Sequence, residues 1–250
     1  MSTAVLIIGG SSTIARALAR LLAAQGRGII LAGRDLPDLD ASAADLRIRF
    51  GVPAVAAAFD ALAFDTHAPF LAECAQLLPG GLDGIVLNHG LLPDQPDTQR
   101  DFALCRRTID TNYTSFVSLL NLAANHFEAR RSGFLCAVSS VAGDRGRQSN
   151  YLYGSTKAAL SAYLQGLRNR LHPAGVRVLT VKPGFVDTAM TWGKLKNPTS
   201  PLVAQPDRVA ADIDRAIRYR RDVIYTPWFW WPIMRIVKSI PEGVFKRLKM

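Results

Sequence analysis

Short runs of β-branched and aliphatic residues alternate with longer helix-compatible stretches from the first residues of the chain to about position 226. This alternation is the sequence form of repeated βαβ units, which build a parallel sheet with helices on both faces. The run Val5-Leu6-Ile7-Ile8 is apolar without interruption, as a strand covered on both faces requires. The chain is therefore predicted to fold as an α/β protein.

The pattern places the elements along the chain. Strands are predicted over residues 4–8, 29–33, 52–59, 85–88, 134–139, 176–181 and 223–225. Helices are predicted over residues 14–25, 41–50, 67–78, 102–130, 153–171 and 207–218. A length of 250 residues suits one sizeable domain. We predict a doubly wound, Rossmann-like parallel sheet of about seven strands in a dinucleotide-binding domain at 1–226, followed by an aromatic, basic tail at 227–250.

The charge and cysteine content narrow the classes of protein. Lys and Arg number 30 against 20 Asp and Glu, a net charge of +10 that favours anionic partners such as phosphorylated cofactors. The basic residues are scattered and no zinc-finger or RNA-binding motif accompanies them, so nucleic acid is not expected as a partner. The 3 cysteines are widely spaced and predict neither disulfides nor a metal site. We expect no signal peptide and a cytoplasmic location.

The segment after the first predicted strand is rich in small residues and opens the first predicted helix. In open α/β folds a dinucleotide pyrophosphate meets the amides of a helix N-terminus at this place. The alternative is an ordinary turn of small residues between strand and helix. It stays open because the location of the segment supports a nucleotide-binding motif more strongly than its residue identities do. On the first interpretation the cofactor-binding residues are Gly9, Ser11, Ser12, Thr13 and Ile14.

Arg34 follows the end of the second predicted strand and indicates which cofactor binds. NAD-binding proteins usually carry an acidic side chain here for the ribose 2′-hydroxyl, and Gly33 leaves that place empty. The planar guanidinium of Arg34 can instead face a 2′-phosphate. Pairing with Asp35 on the surface is the alternative role for Arg34. The favoured cofactor is NADP(H).

Tyr153 and Lys157 open a predicted helix at a spacing of four, which places the phenol and the ammonium one turn apart on one face. Ser140 ends the fifth apolar run, so its hydroxyl is expected at the carboxyl edge of the sheet, where open α/β folds bind ligands. Tyr151 and Ser139 lie close by and are the alternative assignments. The structural alternative is that these side chains only pack or end an element.

A resemblance to the short-chain dehydrogenase/reductase family rests on the segment Val138-Ser139-Ser140-Val141-Ala142-Gly143 followed by Tyr153 and Lys157. The similarity spans residues 4–226. It implies catalytic roles for Asn112, Ser140, Tyr153 and Lys157. It also implies that Tyr153 and Lys157 contact the cofactor together with Asp60, Asn88, Gly90, Pro183, Gly184, Val186 and Thr188.

The chain departs from the family pattern at three positions. Glycines are usual in the family at the positions of Thr13 and Ala15, and alanine is usual at the position of His89. These departures concern the cofactor loop and leave the catalytic residues intact. The resemblance therefore still implies hydride transfer between a nicotinamide and a carbonyl group.

Reduction of a ketone creates alkoxide charge, so a group of matched acidity must supply a proton. We expect Tyr153 to supply it, with Lys157 lowering the pKa of the phenol. Ser140 is expected to donate a hydrogen bond to the carbonyl oxygen. The resemblance further implies that Lys157 holds the nicotinamide ribose and that Asn112 supports a water chain.

Residues 227–250 hold three of the four tryptophans, with five basic residues and one acidic residue. Such a segment suits contact with an anionic membrane or a lid over an apolar substrate. It suits equally well a tail that packs on its own domain or across a dimer. Both alternatives stay open at the level of sequence.

Arg145 and Arg147 lie between Ser140 and Tyr153, so their loop is expected to border the substrate. They suit a phosphate or a carboxylate, or else pair with acidic neighbours. Together with the tail, they make the chain similar to the branch of the family that reduces a keto-pentose carried on a polyprenyl phosphate. On this resemblance the substrate is lipid-linked.

The sequence thus predicts an NADP(H)-dependent oxidoreductase that interconverts a ketone and a secondary alcohol in a small-molecule or lipid-linked, partly apolar substrate. The alternatives are a soluble reductase of 3-ketoacyl thioesters or small ketones, and a non-catalytic nucleotide-binding protein. Members of the family that the chain resembles are usually dimers or tetramers, which implies a homodimer or homotetramer. The tail adds peripheral contact with the inner face of the membrane to the expected location.

Overall fold

The computed structural model describes residues 3–193 and 199–248. Its strands are β1 (Ala4–Ile8), β2 (Gly28–Gly33), β3 (Ala54–Ala58), β4 (Leu82–Leu87), β5 (Phe134–Val138), β6 (Arg177–Pro183), β7 (Phe185–Val186), β8 (Val203–Ala204) and β9 (Val223–Thr226). Its α-helices are α1 (Thr13–Ala24), α2 (Leu36–Phe50), α3 (His67–Cys74), α4 (Gln95–Thr98), α5 (Phe102–Ile109), α6 (Ser115–Arg130), α7 (Tyr151–Leu171), α8 (Pro206–Arg218), α9 (Trp230–Ser239) and α10 (Glu242–Phe245).

The main sheet confirms the predicted fold class. Its 7 strands run in the order β3-β2-β1-β4-β5-β6-β9, and each neighbouring pair is parallel. The two short strands β7 and β8 pair separately, beside the end of β6. The fold is thus a doubly wound α/β sheet of the predicted Rossmann-like kind.

Strand β1 shows how the sheet separates two hydrophobic cores. Val5 and Ile7 point into the core made with α1, α2 and α8. Leu6 and Ile8 point into the opposite core, made with α3, α6 and α7. Because successive side chains of a strand face opposite ways, a strand buried on both faces must be apolar throughout. This is the physical reason for the uninterrupted aliphatic run in the sequence.

The strand order reverses between β1 and β4, because the chain moves outward from β1 to β3 and then returns to the other side of β1. Ligands of open α/β sheets bind in the crevice that such a reversal leaves at the carboxyl ends of the strands. Gly9, the first residue after β1, has φ +82, and a Cβ there would lie 2.8 Å from the backbone nitrogen of His89. The crevice therefore requires glycine at this turn.

Several boundaries differ from the sequence prediction. Helix α2 begins at Leu36 rather than at residue 41, because the Asp35 carboxylate accepts a hydrogen bond from the backbone N–H of Asp38 and caps the helix. The helix predicted over 102–130 is divided by a π-helical turn, Asp110–Thr114. Helix α7 begins two residues early, at Tyr151, and α3 ends early, at Cys74.

The segment after β9 packs on its own domain over much of its length. Trp230, Met234, Val237 and Phe245 form a buried cluster with Val141, which follows β5. Lys249 of the tail lies outside the described residues. In the part of the chain that is described, no helix is long and apolar enough to cross a membrane.

Candidate active site

The two adjacent serines that follow β5 have different roles. The Ser139 hydroxyl is buried, donates to the backbone carbonyl of Lys157 at 2.9 Å and lies 2.8 Å from the Ser161 hydroxyl. The Ser140 hydroxyl instead accepts from the N–H of Ala142 at 3.1 Å, which turns the chain at the edge of the sheet. Ser139 thus ties β5 to α7, and Ser140 faces the cavity beyond the strand.

Two glycines bring the turn after Ser140 against α7. A Cβ on Gly143 would lie 2.7 Å from the backbone nitrogen of Ala158, and a Cβ on Gly154 would lie 2.8 Å from the carbonyl oxygen of Ala142. Larger residues at either position would separate the strand end from the helix. The sequence analysis missed this requirement, although both glycines lie within the segment that it singled out.

Helix α7 then places Tyr153 and Lys157 beside Ser140, and all three line one cavity at the sheet edge, the Tyr153 cavity. The Lys157 ammonium is buried, donates to the carbonyl of Val138 at 2.9 Å, and lies 5.8 Å from the centre of the Tyr153 ring. Tyr151 is 46% exposed, and its hydroxyl accepts from Gln99 at 3.0 Å. The alternative tyrosine is therefore engaged on the surface.

The electrostatics of the pair differ from the prediction. Burial raises the pKa of Tyr153 to about 12, against the opposing effect of a hydrogen bond with Ser140. Burial also lowers the pKa of Lys157 to about 7. The pKa of the phenol is thus raised and not lowered as expected, because the loss of solvent on burial is the largest influence on it. What results is a neutral phenol, which is suited to donate a proton.

Asn112 lies in the π-helical turn between α5 and α6, and its side chain is buried. Its amide oxygen accepts from the N–H of Leu91 at 2.7 Å, and its amide nitrogen donates to the carbonyl of Leu91 at 2.7 Å. These two bonds hold the loop after Gly90 against the helix. The side chain of Asn112 thus shapes the site through Leu91 and does not line the Tyr153 cavity.

The other predicted residues gather along the same edge. The Tyr153 cavity is lined by Ser11, Ser12, Thr13, Ile14, Asn88, Gly90, Pro183, Gly184, Val186 and Thr188, together with the three residues described above. An adjoining space, the Arg34 cavity, is lined by Gly9, Arg34 and Asp60 among others. The two cavities share Ser11, Ser12, Asn88 and Gly90. They form an extended trough across the reversal point of the sheet.

The middle of the trough is held by side-chain bonds around Ser12. Its hydroxyl accepts from the N–H of Ala15 at 3.1 Å, which caps α1, and also accepts from the amide of Asn88. Helix α1 therefore begins at a fixed place above the crevice, with its N-terminal amides directed toward an anion. This geometry fits a dinucleotide pyrophosphate despite the missing glycines at Thr13 and Ala15.

Arg34 is exposed at the far end of the trough. It takes part in no ion pair within residues 3–193 and 199–248, and Asp35 caps α2 instead of pairing with it. The guanidinium is therefore free to meet an anionic group in the Arg34 cavity. Arg107 lines the same cavity and was not predicted, because its position on α5 carries no motif.

His89, which departs from the family pattern, lines both cavities. Its Nε2 lies 2.8 Å from the hydroxyl of Ser115, and its ring stacks on Phe116 at 4.2 Å. Since Ser115 donates to the carbonyl of Thr111, His89 is the donor in this bond, and its buried Nδ1 has no partner among the described residues. Burial, assisted by the charge of Lys157, lowers the pKa of His89 to about 3.

Comparison with known proteins agrees with this geometry. Residues 3–199 match the family described as short chain dehydrogenase. An uncharacterised oxidoreductase of Mycobacterium tuberculosis is 37% identical over 244 residues, which cover 98% of this chain and 96% of the relative.

Two solved structures share the fold. A short-chain dehydrogenase from Sphingobium yanoikuyae in complex with NADPH superposes with a TM-score of 0.82 and 26% identity, over 96% of this chain and 97% of that one. A putative betaketoacyl-ACP reductase superposes with a TM-score of 0.75 and 27% identity, over 89% of this chain and 95% of that one. This chain is an oxidoreductase that belongs to the short-chain dehydrogenase family.

Proposed function

We propose that the protein is an NADP(H)-dependent reductase that interconverts a ketone and a secondary alcohol. The observation that carries this proposal is the convergence of Ser140, Tyr153 and Lys157 on one cavity, which continues to Arg34 along the edge of the sheet. The relative from Sphingobium yanoikuyae, solved with NADPH, supports the choice of cofactor. Arg34 is exposed and forms no ion pair among the residues that the structure describes, which is the chain's own feature that favours a 2′-phosphate.

A bound nicotinamide cofactor supplies the hydride, and the side chains described here handle the proton. Tyr153 donates its proton to the carbonyl oxygen as alkoxide charge develops there. Ser140 stabilises the same oxygen by donating a hydrogen bond. The Lys157 ammonium, when protonated, stabilises the phenolate that remains on Tyr153.

The residues proposed to hold the cofactor divide along the trough. The loop from Gly9 to Ile14 binds the pyrophosphate at the N-terminus of α1. Asp60 lines the Arg34 cavity, where the adenosine half is expected. Asn88, Gly90, Pro183, Gly184, Val186 and Thr188 line the Tyr153 cavity, where the nicotinamide half is expected.

The substrate is proposed to be partly apolar. Aliphatic and aromatic side chains border the Tyr153 cavity around the reacting groups, including Leu92, Val141, Phe185 and Met190. The resemblance to a putative betaketoacyl-ACP reductase supports a 3-ketoacyl thioester as one candidate. A keto-sugar on a polyprenyl phosphate is the other candidate, and it draws support from the exposed tryptophans of the tail.

The tail supplies the surface for contact with a membrane. Trp228 and Trp231 are 70% and 51% exposed, and Arg235 lies 4.9 Å from the Trp231 ring. Aromatic residues mixed with cations suit the headgroup region of an anionic bilayer.

We expect the double variant Trp228→Ser, Trp231→Ser to bind anionic vesicles more weakly than the natural protein in a sedimentation assay. Phe102→Ser, at a residue of α5 that is 75% exposed, is the matched control, and equal loss in both variants would remove the tail from the proposal.

Two further expectations from the sequence stay predictions. A homodimer or homotetramer is tested by light scattering on the purified protein across concentrations. The cytoplasmic, peripheral location is tested by fractionation of cells that express the tagged chain. Neither outcome alters the chemistry proposed for the cavity.

The decisive experiment follows NADPH oxidation against ketones, 3-ketoacyl thioesters and lipid-linked keto-sugars. We expect turnover with one class, and a second assay measures NADPH binding by fluorescence. Binding without turnover on any class, in either direction, would favour the non-catalytic alternative.

Cofactor choice is tested separately. Replacement Arg34→Leu removes charge-assisted hydrogen bonds worth roughly 1.5–3 kcal/mol, which lowers kcat/KM for NADPH about 10- to 100-fold and leaves that for NADH unchanged. Arg49→Leu, which removes a cation from the far end of α2, is the matched control for net charge. An unchanged NADPH preference in the Arg34 variant would contradict the assignment.

A further inference from the structure

The loop between Ser140 and Tyr153 carries two arginines with opposite roles. The Arg145 guanidinium binds the Glu242 carboxylate at 2.6 Å, donates to the carbonyl of Lys238 at 3.1 Å and stacks on the Phe245 ring at 4.2 Å. Arg145 is therefore fully engaged in fastening the tail to the loop. Both of its Nη atoms thus have a partner in the tail.

Arg147, two residues later, lines the Tyr153 cavity instead. Its Nη2 atom contacts only the sulfur of Met234, at 3.2 Å, and its buried Nε has no partner in the described part of the chain. A thioether sulfur is a weak acceptor and carries no charge. The guanidinium thus presents an unneutralised cation at the substrate end of the trough.

The nearest acidic group in the loop is already occupied. One oxygen of the Asp144 carboxylate accepts from Lys182 at 2.6 Å, and the other accepts from the Tyr225 hydroxyl at 2.7 Å. Asp144 acts on Arg147 only at a distance, while burial lowers the pKa of Arg147. Among the described residues no carboxylate forms an ion pair with this arginine.

Asn150 adds a second unsatisfied group to the same cavity. It stands at the N-terminus of the 21-residue helix α7, yet its side chain does not cap that helix. Its buried amide oxygen has no partner among the residues that the structure describes. This oxygen accepts hydrogen bonds, so a ligand that satisfies it must bring a donor such as a hydroxyl group.

The cofactor phosphates do not account for this cation. Arg147 lines the Tyr153 cavity but not the Arg34 cavity, where the 2′-phosphate is proposed. The Met234 that it contacts belongs to α9, whereas the proposed pyrophosphate site lies at the N-terminus of α1. Buried polar groups are as a rule hydrogen-bonded, so an exception calls for a partner that the chain itself does not supply. The missing partner is therefore expected on the substrate.

We propose that Arg147 and Asn150 form a subsite for an anionic oxygen group, a carboxylate or a phosphate, carried by a substrate that also bears a hydroxyl. This inference rests on the proposed reductase function and names the substrate class for it. Arg147 neutralises the anion through its guanidinium, and Asn150 accepts from the hydroxyl. The keto group then lies toward Ser140 and Tyr153.

The test uses matched substrates that differ in charge. Oxo-carboxylates of increasing chain length are compared with their methyl esters, and hydroxyketone phosphates with the corresponding free alcohols. We expect the natural protein to show a higher kcat/KM for the charged member of one series. Replacement Arg147→Met is expected to lower that charged-to-neutral ratio at least about tenfold, because a charge-assisted hydrogen bond is lost.

Two variants serve as controls. Arg49→Met removes the same charge from the exposed surface of α2, away from the cavity, and is expected to leave the ratio unchanged. Arg147→Lys restores a cation without the planar fork and is expected to recover part of the ratio. Thermal unfolding and NADPH binding show that each variant is folded.

Calorimetric binding of the matching hydroxy acids and hydroxy phosphates to the natural protein and to Arg147→Met makes the result independent of turnover. A ratio near one in the natural protein, or the same ratio and affinity in Arg147→Met, would overturn the subsite. Absence of turnover with anion binding that still depends on Arg147 would overturn the proposed reaction and leave the subsite standing. The series that responds distinguishes a carboxylate from a phosphate.

Discussion

The two ends of the trough are built in opposite ways. At the cofactor end, Ser12 bonds to Ala15 and Asn88, and the turn at Gly9 fits closely under His89. At the substrate end, buried polar atoms of Arg147 and Asn150 have no partner in the described chain. A buried group without a partner costs roughly 1–3 kcal/mol. The Ser12 side chain thus bonds within the chain itself, whereas the unsatisfied atoms of Arg147 and Asn150 require a ligand.

The two ends also differ in what supports them. The loop after Gly9 is fixed by β1 and β4, which are neighbours in the sheet, and by the start of α1. The substrate end depends on α9, whose Met234 contacts Arg147 and whose Trp230 lies directly over Gly184. Residues far along the chain therefore shape the half of the site that selects the substrate.

The largest effect is expected at the proton donor. Replacement Tyr153→Phe removes the phenolic proton from the cavity and is expected to lower kcat about 1000-fold, within the usual range for general acid catalysis. NADPH binding, measured by fluorescence, should persist. The matched control is Tyr151→Phe, which removes a surface hydroxyl two residues away and should leave kcat unchanged. Equal losses in both variants would remove the distinction between the two tyrosines.

The next effect tests how far α9 supports the substrate end. Replacement Met234→Ala empties a fully buried position and is expected to lower the free energy of unfolding by about 3 kcal/mol. Denaturant titration measures this loss. We also expect a weaker preference for charged substrates, because Met234 holds Arg147. Ile236→Ala, on the exposed face of α9, is the control, and an equal loss there would show that the tail contributes only as a unit.

A pH profile tests the catalytic pair. The pKa of Lys157 is lowered to about 7, so the ammonium loses its proton as the pH rises through 7. Because the protonated form stabilises the phenolate, kcat/KM for ketone reduction is expected to fall above pH 7, by about tenfold per pH unit. A profile that stays flat to about pH 10 would mean that Lys157 keeps its ordinary pKa.

The effect that is smallest at neutral pH concerns His89, between the two ends. Its pKa is lowered from 6.5 to about 3 in the folded protein, so the unfolded chain binds the proton more tightly. Stability that is present above pH 6.5 is therefore lost as the pH falls toward 3, by up to about 1.4 kcal/mol per pH unit. His89→Gln keeps a donor for Ser115 but does not titrate. We expect the pH dependence of the unfolding free energy to flatten in this variant, and an unchanged slope would assign the acid sensitivity elsewhere.

Local signals explain most of what was predicted correctly. The alternation of apolar runs and helical patterns predicted the seven strands of the main sheet, with small errors at their ends. The cap at Asp35 was available in the sequence and was overlooked, which placed the start of α2 five residues late. The π-helical turn at 110–114 was not predictable from periodicity, because its residues continue a helical pattern on both sides.

The candidate site was predictable as a set of residues but not as an arrangement. A spacing of four residues brings Tyr153 and Lys157 together by helix geometry alone. By contrast, the lowered pKa of Lys157 and the raised pKa of Tyr153 follow from burial, which depends on every element around them. The prediction of a lowered phenol pKa failed because it considered the charge of Lys157 but not the loss of solvent on burial.

The sequence by itself determined the sheet, the turn at Gly9 and the helical pairing of Tyr153 with Lys157, because these follow from periodicity and backbone sterics over a few residues. Tertiary structure alone decided that the hydroxyl of Ser139 bonds to α7 while that of Ser140 does not. It also decided that Arg145 pairs with a carboxylate while the Nε of Arg147 has no partner in the described chain. Such choices depend on contacts between residues far apart in the chain. These contacts contribute free energy only after the helices and strands have packed together.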